Sequence, residues 1–213
     1  MAKEAKEHHL KVPKTARVYV IEPDGPHRAT VLAIHGYRQL GRYFIRHFES
    51  LASMGYRIVV PEGLHRFYIE GYSGRVGASW MTKDDREADI EDYINYLQQV
   101  AESFDLYATP WILLGFSQGG PTACRWLPHV SSLPESLILH STVFPNDFEF
   151  ESFQEELRNL PTHAIFGDSD PFASEEVISE KVEWMKRNGV HPKLTRFEGG
   201  HVVHLESVRD ILK

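Results

Sequence analysis

Two kinds of hydrophobic periodicity alternate along the chain. Short β-branched or aliphatic runs recur at 17–21, 30–34, 57–60, 111–114, 136–139, 163–166 and 193–197, bounded by Gly, Pro, Asp or His. Such runs read as buried strands. Between them, apolar residues return every three or four positions. Tyr43, Phe44, Phe48, Leu51 and Ala52 predict one helix, with Gly55 as its stop. The longest helix is predicted over 84–103, with Ile90, Tyr93, Ile94, Leu97 and Ala101 as its apolar stripe and Thr82 or Asp84 as N-cap. Further helices are expected over 119–127, 175–187 and 203–212, and a shorter one over 150–158. Strands separated by helices imply βαβ units, hence a parallel sheet covered on both faces. Residues 63–83 are the one long stretch without clear periodicity, and loops of that length are often functional.

Composition narrows the class. The chain has 213 residues, 42% apolar and 25% charged, which suits one globular domain rather than a disordered chain. Residues 1–14 are charged and lack the apolar core of a secretory signal, so they are expected to form a poorly structured extension on a cytoplasmic protein. A net charge of −7 argues against a nucleic-acid partner, and the apolar runs are too short to span a bilayer. The lone Cys124 excludes an intramolecular disulfide and a cysteine-based zinc cluster, and its place in a predicted helix suggests buried packing. No metal or cofactor is implied.

The chemistry emerges at strand ends. Residues 111–120, WILLGFSQGG, read as a strand running into Gly-X-Ser-X-Gly and then a helix. The bare pattern should arise by chance in roughly one chain of this length in fifteen, so its strand–turn–helix setting carries the weight. A sharp turn there lifts the Ser117 hydroxyl above the sheet, and flanking glycines let neighbouring backbone approach. A serine hydroxyl needs a base, itself oriented by an acid, and in this architecture the chain order is Ser, Asp/Glu, His. The run 162–166 ends in Gly167-Asp168-Ser169-Asp170-Pro171, and 193–197 ends in Glu198-Gly199-Gly200-His201. His201 follows a Gly-Gly turn, whereas His204 lies one helical turn later. Asp168 sits where a short acid commonly bonds loop amides. Asp170 has the greater reach toward the histidine loop. The run 30–34 ends in His35-Gly36-Tyr37-Arg38-Gln39, where an oxyanion loop would stand. The backbone N–H groups of Tyr37 and Gln118 are then the expected oxyanion donors, and His35 is a structural residue of the turn.

Together, Leu32-Ala33-Ile34-His35-Gly36, Gly115-Phe116-Ser117-Gln118-Gly119-Gly120, Gly167-Asp168-Ser169-Asp170-Pro171 and Glu198-Gly199-Gly200-His201 resemble the phospholipase/carboxylesterase family. That compact α/β-hydrolase group contains the acyl-protein thioesterases, and the similarity runs from about Thr30 to Lys213. The resemblance implies an α/β-hydrolase fold with helices on both faces of a mostly parallel sheet and no cap domain. It also implies a triad of Ser117, Asp170 and His201. The reaction implied is hydrolysis of small-molecule carboxylic esters, with thioesters or lysophospholipids as further substrates, through an acyl-enzyme. A peptidase or lactone hydrolase using the same triad is the alternative, and a non-catalytic binding protein of the same fold a more distant one. The family usually keeps a small residue soon after His-Gly, where this chain has Tyr37, Arg38 and Gln39.

With no residues left over for a lid, the cleft is expected to be open, and Tyr37, Trp80, Phe172 and Val202 are candidates for lining it. Arg75, in the glycine-containing stretch 71–83, is placed to contact a leaving group or carboxylate, although a solvated surface loop is the plainer reading. A homodimer stays open.

Overall fold

The computed structural model describes residues 4–213. Its centre is a seven-stranded sheet in the order β1-β3-β2-β6-β7-β8-β9. The strands are β1 (Val18–Ile21), β2 (Ala29–Ile34), β3 (Tyr56–Pro61), β6 (Trp111–Phe116), β7 (Ser136–His140), β8 (Thr162–Gly167) and β9 (Lys193–Phe197). Only β1 runs antiparallel to its neighbour; the rest pair in parallel. All seven predicted strands are present, displaced by no more than two residues at either end.

Burial on both faces explains why the central strands are almost continuously apolar. Along β2, Val31 and Ala33 join the core on one face of the sheet, and Leu32 and Ile34 join the core on the other. The first face is covered by α1 (Gly41–Phe44), α2 (Glu49–Ala52) and α7 (Leu205–Ile211), through Phe44, Leu51 and Val208. The second is covered by α3 (Arg86–Ser103), α4 (Gly119–Trp126), α5 (Gln154–Asn159) and α6 (Glu175–Arg187), through Leu97, Trp126, Leu157 and Met185. Cys124 is fully buried in α4, and burial pushes its thiol pKa up.

Four expectations need correction. Residues 65–79 form a hairpin of β4 (His65–Tyr68) and β5 (Val76–Ser79), antiparallel and outside the main sheet. The helix expected over 43–52 is broken by a 3-10 turn at Ile45–Phe48. The helix α3 has neither expected cap: Asp85, in a left-handed conformation, precedes it without a side-chain capping bond. The buried face of α3 also includes Tyr96 and Val100, while Ile90 and Ile94 are only partly buried. Residues 4–17 carry neither helix nor strand and touch α3 through a Lys11–Glu91 ion pair; residues 1–3 of the expected extension lie outside the described residues. Among the described residues, no helix is long and apolar enough to cross a membrane.

The strand order has a functional consequence. From β2 the chain moves outward to β3, then returns to place β6 on the other side of β2. In open α/β sheets the crevice at such a reversal, beyond the carboxyl ends of the strands, is where ligands bind. Here those ends are His35-Gly36 and Phe116-Ser117.

Candidate active site

At the end of β6 the chain turns directly into α4, and Ser117 takes a left-handed backbone with φ of 51°. That conformation is costly for a residue with a Cβ and persists only where neighbours fix it. The Ser117 N–H donates to the His140 carbonyl at 3.0 Å, and the Gly120 N–H donates to the Ser117 carbonyl at 2.9 Å. Close packing explains the glycines. A Cβ on Gly119 would stand 2.1 Å from the Ile34 carbonyl oxygen, and one on Gly115 would stand 2.5 Å from the Gly120 Cα.

The loops after β8 and β9 meet this turn. His201 Nε2 lies 2.9 Å from Ser117 Oγ, and His201 Nδ1 lies 2.8 Å from Asp170 Oδ2. A carboxylate only accepts, so Nδ1–H donates to Asp170 and Nε2 is left to accept from the serine hydroxyl. The second carboxylate oxygen of Asp170 accepts the Phe172 N–H at 2.9 Å. The Asp170 side chain is 1% exposed and that of His201 is 20% exposed, so the acid is dry and the imidazole is reachable. Phe116 and Phe172 pack against the His201 ring, with centroids at 5.1 and 4.9 Å.

The two competing residues have other partners. Asp168 is exposed and accepts the Gly199 N–H at 3.0 Å and the Ser169 hydroxyl at 2.9 Å. The Gly199 bond, with that of Ser169, holds its carboxyl below the usual range. His204 precedes α7, where its Nδ1 lies 2.8 Å from Ser207 Oγ, and its ring stacks on Phe197 with a 4.4 Å centroid distance.

The loop after β2 closes the other side. A Cβ on Gly36 would lie 3.1 Å from the Ser117 Cβ, so this loop passes directly over the serine. Among the described residues, neither the Tyr37 N–H nor the Gln118 N–H has an acceptor. The Gly36 N–H is held by Gln39 Oε1 at 2.7 Å. His35 is buried and receives the Gly63 N–H on Nε2 at 2.9 Å. Its Nδ1 therefore carries the proton and donates to the Gly36 carbonyl at 2.7 Å. Burial holds this imidazole down at about 4, neutral and structural.

Of the residues expected to line the cleft, Phe172 and Val202 flank His201 and are 77% and 55% exposed. Trp80 is a correction: it is 1% exposed, packed on Tyr93 and Tyr96, and offers no surface to a ligand. Its indole N–H donates instead to the His35 carbonyl at 2.9 Å.

Two supports were not read from the sequence. The Gln118 side chain accepts the Trp80 N–H at 3.2 Å and donates to the Met81 carbonyl at 2.9 Å, tying the serine turn to the segment after β5. His140, buried at the end of β7, accepts the His204 N–H on Nε2 at 2.8 Å and thereby anchors the His201 loop. Burial, reinforced by His204 and His201, pushes its pKa down to about 3. A histidine directly after the apolar run Leu137–Leu139 of β7 was the available signal.

The family described as serine hydrolase (FSH1) matches residues 26–207. No curated protein sequence matches the chain. Among solved structures, esterase PE8 is similar with a TM-score of 0.71 at 19% identity, covering 93% of this chain and 98% of that one. Acyl-protein thioesterase 2 of Zea mays aligns with a TM-score of 0.70 at 18% identity, covering 92% and 96%. The carboxylesterase of Bacillus cereus aligns with a TM-score of 0.63 at 12% identity, covering 92% and 91%. At these identities the structural likeness is one of fold, the mostly parallel sheet of α/β hydrolases. The family match spans most of the chain, Ser117 and His201 included, and the chain belongs to the FSH1 family of serine hydrolases.

Proposed function

We propose that the protein is a serine carboxylesterase that cleaves small-molecule carboxylic esters through an acyl-enzyme, within a single α/β-hydrolase domain. The observation that carries this reading is the unbroken relay from Asp170 Oδ2 through both ring nitrogens of His201 to Ser117 Oγ, at 2.8 and 2.9 Å. Ser117 Oγ attacks the ester carbonyl carbon while His201 Nε2 takes its proton. Asp170 keeps the ring in the accepting tautomer and stabilises the imidazolium. The carbonyl oxygen, now an anion, is met by the Tyr37 and Gln118 N–H groups, whose lack of another acceptor supports this role. Collapse expels the alcohol, which takes the proton from His201. Water then repeats the sequence on the acyl-serine and releases the acid.

The test is hydrolysis of neutral aryl esters of graded acyl length by the wild type, Asp168→Asn and Asp170→Asn. Turnover that falls sharply only in Asp170→Asn supports the assignment. A larger loss in Asp168→Asn contradicts it.

A further inference from the structure

We propose that the cleft beside the oxyanion loop is an anion subsite, taking a carboxylate or phosphate carried by the ester substrate. The proposal rests on the reading of Ser117 as nucleophile and adds the substrate class. The cleft has a volume of about 670 Å³, and Arg38, Arg42 and Arg75 line it together with Gln39, Tyr43 and His47. A second hollow of about 400 Å³ shares Arg42 and adds Arg17 and Arg66. No Asp or Glu lines either one. On a chain of net charge −7, five arginines across two adjoining hollows run against the rest of the surface.

Among the described residues, the neighbouring acids engage three of the five and leave Arg38 and Arg42 free. Glu62 is buried and engaged by Arg17 and Arg66. Glu70 reaches Arg75 at 3.3 Å, with both side chains about four-fifths exposed, a pairing worth little in water. Among the described residues Arg38 and Arg42 have no carboxylate partner; the Arg42 guanidinium lies 4.7 Å over the Tyr43 ring centroid. Guanidinium forks match the two oxygens of a carboxylate or phosphate, and an aromatic plate beneath one limits its rotamers.

Position links the cleft to the reaction. The Gly36 backbone passes over Ser117, where a Cβ would lie 3.1 Å from the Ser117 Cβ, and Arg38 is two residues further, so the Gly36 and Arg38 Cα atoms are at most about 7.6 Å apart. Arg38 is held in a left-handed backbone with φ of 67°. Its N–H donates to the Ala78 carbonyl at 2.9 Å, and Gly77 is packed so closely that a Cβ there would stand 2.6 Å from the Arg38 carbonyl oxygen. Strain of this kind in a non-glycine residue persists where surrounding structure over-determines it. The hairpin β4–β5 therefore fixes the Arg38 backbone where the loop after β2 borders the cleft.

The test compares matched aryl esters: a pentanoyl ester against its glutaryl counterpart with a terminal carboxylate, and phenyl acetate against its ring-phosphorylated analogue. The anionic member of at least one pair is expected to be preferred about tenfold in kcat/KM, mainly through KM. The preference should fade as salt rises past about 0.1 M. In Arg42→Gln/Arg75→Gln the ratio should fall toward one, and the pair that shows the effect tells carboxylate from phosphate. Neutral esters hydrolysed in a Ser117-dependent way with no anionic preference, or a preference that survives in the double variant, overturn the subsite alone. Hydrolysis that survives Ser117→Ala overturns the nucleophile assignment and the subsite with it.

Discussion

On one rim of the site, Ser117, Asp170 and His201 stand on loops that leave parallel strands of the main sheet. On the other, Tyr37 and Gln39 lean on a two-stranded hairpin outside it. The first rim is shaped by backbone. Strand ends fix where each loop begins, and glycines admit carbonyls where a Cβ would collide, as at Gly119. The second rim is shaped largely by side chains bonding to backbone: Gln39 to Gly36, His35 to Gly63, Trp80 to His35 and Gln118 to Trp80 and Met81. The Ser117, Asp170 and His201 positions are thus set by topology, and the loop that carries the Tyr37 N–H is set by a side-chain network. The two rims should fail differently when disturbed.

The first rim should show the largest effect. Ser117→Ala is expected to lower kcat/KM for an aryl ester by about 10⁴–10⁶-fold, by analogy with triad deletions. Retention of more than about a tenth of the activity contradicts its role. Asp170→Asn should follow at about 10³–10⁴-fold, because the amide favours the wrong imidazole tautomer. Asp168→Asn removes only loop contacts and should cost about tenfold or less, read in the same assay.

Legibility divides along the same line. The sheet strands and the residues at their ends could be read in advance, because a central strand buried on both faces leaves a nearly continuous apolar run and a turn above the sheet demands glycine. The hairpin could not be read: β4 and β5 are four residues each, and HRFY and VGAS carry too few apolar positions to show a period. Trp80 was misplaced for a related reason. Its position near the site was legible, but not that its ring turns into the core to hold a carbonyl. Nor does local sequence reveal a bond between residues 118 and 80, since that pairing exists only once β2 and β6 are neighbours.

Gln118→Ala tests the second rim. It removes the ties to Trp80 and Met81 without touching the Ser117–His201–Asp170 contacts. The expected loss is about 10- to 100-fold in kcat, with Tm lower by about 3–6 °C, as one to two kcal/mol would give in a chain of this size. An unchanged kcat in the folded variant would show that the oxyanion donors do not depend on this network.

A loss at low pH should be shared by both rims, since each rests on a buried neutral imidazole. His35 and His140 protonate near 4 and 3 in the folded chain, against 6.5 for the ordinary group. Protons therefore bind the unfolded chain first as pH falls below about 6.5. Stability is full above that value and is lost progressively down to about 3–4, by on the order of a few kcal/mol. Urea midpoints across this range should show the decline, and His35→Gln or His140→Gln should flatten it.

The most direct measurement is the site of covalent labelling by an aryl fluorophosphonate, mapped by mass spectrometry of the digested protein. One adduct is expected, on the peptide that carries Ser117, forming rapidly in wild type, slowly in His201→Ala and not at all in Ser117→Ala. An adduct on another residue, or labelling of Ser117 at the same rate without His201, would contradict the relay.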